Sequence, residues 1–146
     1  MDQVVETSVF SSLLIILIAL IILLTVAEWK ILTKAGEKGW KSLIPFYNIF
    51  VSHHIVGMSH TWFIIEVITW IIEFVLELIK MPAPVVLAVG IAVGIFTLVS
   101  ELVHIIKMCS CFGKGTGFKI GMILVPELFM LIIAFGKSEY KKPDHQ

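Results

Sequence analysis

Apolar residues along this chain do not alternate with polar ones at a strand's period; they come in runs of about 20, closed by lysine, tryptophan, glycine or proline. A hydrocarbon layer about 30 Å thick needs about 20 helical residues at about 1.5 Å each, so the runs have the length of membrane crossings. Four are read. The first, 9–27, is almost unbroken Leu and Ile and is closed by Glu28, Trp29 and Lys30 as an interfacial anchor. The second, 61–79, opens on Trp62; the third, 84–106, holds Gly90 and Gly94; the fourth, 118–135, contains Pro126, which predicts a kink. Met81-Pro82-Ala83-Pro84 permits only a tight turn, so the second and third runs are antiparallel neighbours. The first run is read as a retained anchor and not a cleaved signal, because it is long and follows acidic Asp2 and Glu6 in place of basic residues.

Between the first two runs, 29–60 mixes Lys30, Lys34, Lys38 and Lys41 with Trp40, Leu43, Ile44, Phe46 and Tyr47. That composition suits an interfacial or re-entrant segment, since Pro45, Asn48 and His53-His54 make a fifth crossing costly. A polar tail, 136–146, follows the last run. The expected architecture is therefore all-α: a single transmembrane domain over 1–146, a bundle of four transmembrane helices in a multi-pass plasma-membrane protein. Lysine counts place 29–60 and 107–119 on the cytoplasmic side. With four crossings both termini then lie outside, which leaves Lys137, Lys141 and Lys142 on the side the rule disfavours.

Composition narrows the function classes. With 58% hydrophobic and 15% charged residues, the chain lies outside the range of soluble domains, and its expected partners are the lipid bilayer and a membrane protein or second copy. Eleven basic residues, all lysine, balance eleven acids, so no nucleic-acid partner is expected. Cys109 and Cys111 are too close for an easy disulfide and too few for a zinc site; no cofactor and no metal are expected. Neither a Ser-Lys pair in a usable position nor an H-E-x-x-H motif is present, and His53, His54 and His60 read as solvated loop histidines, so no catalytic set emerges.

Two stretches carry a resemblance. Ala35-Gly36-Glu37-Lys38-Gly39-Trp40 followed by Ile44-Pro45-Phe46-Tyr47-Asn48, and Phe112-Gly113-Lys114-Gly115-Thr116-Gly117-Phe118 followed by Gly121, Pro126, Phe129 and Tyr140, resemble the two signatures of an uncharacterised family of small bacterial membrane proteins. The resemblance implies a multi-span module of unknown function, found in some relatives ahead of a signal peptidase domain that this chain lacks. Relatives usually carry a second proline where this chain has Glu127. Physically, Gly36 and Gly39 allow positive φ or close approach, Pro45 starts or kinks a helix, and Tyr47 and Asn48 can bond backbone freed by the break. Gly113-Lys114-Gly115-Thr116-Gly117 lacks Walker spacing and reads as a flexible turn, while Gly90-xxx-Gly94 and Gly117-xxx-Gly121 read as internal packing faces.

The acids inside the apolar runs are the functional lead. Glu66, Glu73 and Glu77 fall within about 40° of one another on a helix at 100° per residue, Glu101 and His104 share a face, and Glu127 sits mid-run. A carboxylate at mid-membrane costs about 2.5–3.5 kcal/mol on insertion scales, so partners, water or protonation must compensate. The first expectation is a non-enzymatic scaffold or accessory subunit in which these acids specify helix pairing. The alternative is a small proton or cation transporter or channel with Glu66, Glu73, Glu101, His104 and Glu127 as its pathway.

Overall fold

The computed structural model describes residues 2–143. Among them the chain is all-helical: α1 Asp2–Lys34, a 3-10 turn Gly39–Leu43, α2 Tyr47–Ile55, α3 His60–Leu78, α4 Ala83–Cys111, α5 Thr116–Leu124 and α6 Pro126–Phe135. Two helices are long and apolar enough to cross a membrane, over Val9–Lys34 and Ala83–Cys111. The 19 residues of α3 would span about 28 Å, but three glutamates interrupt their apolar character.

The fourth predicted crossing is not one. Pro126 lacks the N–H that would continue a helix, and Val125 leaves helical geometry at φ −141°, ψ 72°. The chain reverses there instead of kinking. The rings of Phe118 and Phe129 meet edge-on at 4.8 Å, whereas eleven residues of continuous helix would separate them by about 16 Å. Gly121 makes the reversal tight, since a β-carbon there would enter the Phe129 ring. The hairpin's far end returns to the end of α1, where Lys34 Nζ donates to the carbonyls of Ile133 at 2.6 Å and Gly136 at 2.7 Å. A lysine ammonium thus caps the negative end of α6.

A second reversal follows α1. Gly36, at φ 84°, closes that helix with paired bonds from Gly36 N–H to Thr33 O and Glu37 N–H to Leu32 O, the pattern that requires a left-handed residue. The chain then doubles back along α1, with Gly39 pressed on the Trp29 indole where no β-carbon fits. Pro45, Phe46 and Tyr47 form a γ-turn of the strained hand, with Phe46 at φ 65°, ψ −47° and Tyr47 N–H on Pro45 O at 2.7 Å. From this tip α2 runs back beside α3, aligning Phe46 with Trp70, Phe50 with Phe63 and His54 with His60.

The segment after Gly136 is packed as well. Lys141 N–H bonds Cys111 O at 2.7 Å, the Tyr140 hydroxyl donates to Ile55 O at 2.5 Å, and Pro143 sits under Gly57. Buried apolar residues concentrate where these ends meet, with Leu32, Val56, Cys109 and Ile133 at 2% exposure or less. The opposite half is bare: Phe10, Ile15, Leu87 and Ile95 are more than 60% exposed. Gly90 and Gly94 have no neighbour within 4 Å of a built β-carbon, so the expected packing face is unused within the chain.

Candidate functional site

The two reversals converge on one cavity of about 440 Å³ that every α-helix helps to line. α1 contributes Glu28, α2 contributes Asn48, Ser52 and His53, α3 Glu66 and Trp70, α4 Glu101 and His104, and the α5–α6 hairpin Met122, Pro126 and Glu127. Each acid owes its place to local structure. Glu28 lies six residues before the end of α1 and Glu66 six after the start of α3, so both sit about 9 Å inside the lysine-rich end; Glu101 lies about 15 Å from the end of α4. Glu127 occupies the first turn of α6, at the tip of the hairpin, where a carboxylate also favours the positive end of the helix.

A polar network ties part of this lining together. Glu66, 8% exposed, accepts a short hydrogen bond from the Ser100 hydroxyl and lies 3.7 Å from His53 Nε2. The His53 ring meets the His104 ring edge-on at 5.4 Å, and His104 Nε2 is 2.9 Å from Ser52 Oγ. Across the cavity the Asn48 amide donates a short hydrogen bond to Glu28. Among the described residues three buried polar atoms have no partner, Asn48 Oδ1 and His53 Nδ1 on residues that line the cavity and Ser138 Oγ on one that does not. Buried polar groups are nearly always bonded, so Asn48 Oδ1 and His53 Nδ1 keep hydrogen-bonding capacity beside the cavity. Among the described residues no three His, Cys, Asp or Glu converge closely enough to hold a metal ion.

Of the acids and histidine read as a pathway, Glu66, Glu101, His104 and Glu127 come together here, while Glu73 does not. Glu73 and Glu77 line a separate hollow near the α3–α4 turn with Lys80, two to three helical turns from Glu66. They share a helix face with Glu66, yet α3 extends past the end of α2, so its later turns lose their polar partners. Two ionisable site residues escaped the sequence reading, as did the hydroxyls of Ser52 and Ser100. Glu28 looked like an interfacial anchor, and His53 looked solvated; the structure buries His53 to 6% exposure because α2 folds inward. The available signal was Asn48 and Ser52, which share one helical face at a spacing of four, with His53 about 100° further round.

The signature residues take structural places around the site. Gly36 and Gly39 shape the first reversal, Trp40 is 45% exposed beside it, and Pro45 sets the tip two residues before α2. Tyr47 stacks on Phe50 at 6.1 Å, and the Asn48 amide reaches Glu28 where a bond to freed backbone was expected. Gly113, at φ 64°, ends α4, Gly115 caps α5, Gly117 lies in its first turn and Pro126 forms the second tip. Searches of the curated proteins and of the solved structures give no match to this chain. Residues 40–143, from the first reversal through the packed tail, match the model of a family of unknown function, DUF5684, and the chain belongs to that family.

Proposed function

We propose that this is a non-enzymatic, multi-pass protein of the plasma membrane that crosses the bilayer three times, through α1, α3 and α4, and that its cavity is a cation site used in proton or cation movement. In this reading 35–55 and 116–135 are re-entrant hairpins: irregular backbone is tolerated at membrane depth where it is buried in protein or lines a cavity; Pro126 at the second tip lines the cavity, and Asn48, just after the exposed first tip, does too. Broken helices meeting at a polar site are a recurring arrangement in membrane transporters. The lysines support the topology. Every lysine except Lys80 lies on the end of the molecule where α1, α4 and α6 finish, so three crossings put the carboxyl-terminal lysines beside the others on the cytoplasmic face and the amino terminus outside.

The observation that carries the cation reading is the charge of the lining: Glu28, Glu66, Glu101 and Glu127 face one cavity whose wall contains no lysine. Such a site holds negative charge in a low-dielectric setting and is stabilised by a cation or by protons. The test is proton and monovalent-cation flux into proteoliposomes of the purified protein. Flux in the parent that falls at least tenfold in Glu66→Gln, Glu101→Gln and Glu127→Gln, and stays at parental level in Glu73→Gln, is the expected result. Absence of flux in the parent would sink the transport reading.

A second reading, a scaffold or accessory subunit, draws on α1. Leu13, Ile15, Ile16 and Phe10 are at least 60% exposed at positions that circle the helix, so lipid or another membrane helix must cover that half. Crosslinking from residue 16 to a partner, with no flux in the parent, would favour it.

A further inference from the structure

Building on the cation-site reading, we infer that the ligand of the cavity is a small organic ammonium ion, not a bare inorganic cation. Size is the first reason. A volume of about 440 Å³ falls in the range of small-molecule pockets, about 300–1,000 Å³, and would take about fifteen waters at about 30 Å³ each. Hard cations need six or more oxygens within about 2.6 Å, and no three acidic or imidazole side chains converge among the described residues.

The wall is the second reason. Between its acids the cavity presents Trp70 and three methionines, Met108, Met122 and Met130. An indole face attracts a diffuse positive charge, and methionine adapts to irregular carbon groups; neither helps a small hydrated ion. The acids, in turn, are unequally committed. Glu66 is engaged by Ser100 and Glu28 by Asn48, whereas Glu101 and Glu127, both exposed and both lining the cavity, have no hydrogen-bond or ion-pair partner among the described residues. They are the free countercharge. Asn48 Oδ1, buried, unbonded and on a lining residue, is an acceptor for an N–H or hydroxyl of the same ligand. A ligand with one positive nitrogen, a carbon envelope and one donor meets all three features.

The experiment is calorimetric titration of the intact purified protein in detergent with choline and with its uncharged carbon twin, 3,3-dimethylbutan-1-ol, at constant ionic strength, followed by benzyltrimethylammonium. Expected are saturable binding of one ammonium ion per chain, no binding of the twin, and at least tenfold weaker binding in Trp70→Leu and in the double variant Glu101→Gln, Glu127→Gln. The double variant Glu73→Gln, Glu77→Gln serves as the control with the same charge change away from the cavity and should bind as the parent does. Equal binding of the twin, or parental affinity in the double variant, overturns the assignment. If neither ammonium ion binds while sodium or proton flux remains sensitive to Glu101 and Glu127, the organic ligand is refuted and the cation site stands. If binding and flux are both absent, both fall.

Discussion

Replacing Lys34 with methionine tests the reversal at Pro126 through its far end. Methionine keeps most of the aliphatic stem and removes the ammonium that holds the carbonyls of Ile133 and Gly136 at 2.6 and 2.7 Å. A hydrogen bond to a charged group contributes about 1.5–3 kcal/mol. The Gly136 bond is open to solvent, so water replaces most of it; the Ile133 bond is half-buried, so its carbonyl loses its partner more completely. Freedom regained by the released side chain offsets up to about 2 kcal/mol. The net loss is about 1 kcal/mol, or about 3 °C in midpoint for a chain of this length. Thermal unfolding of the detergent-solubilised protein, followed by circular dichroism or by exposure of Cys109 and Cys111, reads it directly. Lys38→Met is the control, because Lys38 is exposed on the same segment. Were 116–135 a straight crossing, its end would lie a membrane's thickness from Lys34, and Lys34→Met would unfold with the parent. That outcome would refute the hairpin.

Three crossings place Lys38 and Lys142 on one face and Lys80 on the other. In a background lacking Cys109 and Cys111, cysteines at 38 and 142 should react with an impermeant maleimide only after the cytoplasmic side is opened, and one at 80 in intact cells; labelling at 142 from outside would restore the four-crossing topology. The Glu37 carboxylate is held below the ordinary range, chiefly by the hydrogen bond from Lys41 Nζ at 2.5 Å. A depressed carboxylate stabilises the fold above its unfolded pKa and loses that contribution as pH falls through the folded value, so any advantage of the parent over Glu37→Gln should be small at pH 7 and vanish in acid; an advantage that grows on acidification would contradict it.

Much of this molecule is local and therefore legible in the residues. The apolar runs announced α1 and α4 because helix length in lipid is set by thickness. The Pro82-Ala83-Pro84 turn placed α3 against α4, and Gly36 marked a left-handed helix end because only the absence of a β-carbon makes that geometry cheap. The acids stood out because charge is costly in hydrocarbon, whichever fold surrounds it.

What the linear pattern did not hold is direction. Pro126 interrupts a helix equally well as a kink or as a reversal, and the choice rests on contacts across the break and from elsewhere: Gly121 admits the Phe129 ring, and Lys34 receives the returning end of α6. Glu28 and His53 became site residues for the same reason, since their exposure depended on whether 35–55 lay on the surface or folded inward. Hydropathy counts residues along one axis; whether two half-length helices cross or turn back is decided by which groups meet in space, as Lys34 meets the carbonyl of Ile133 from 99 positions away.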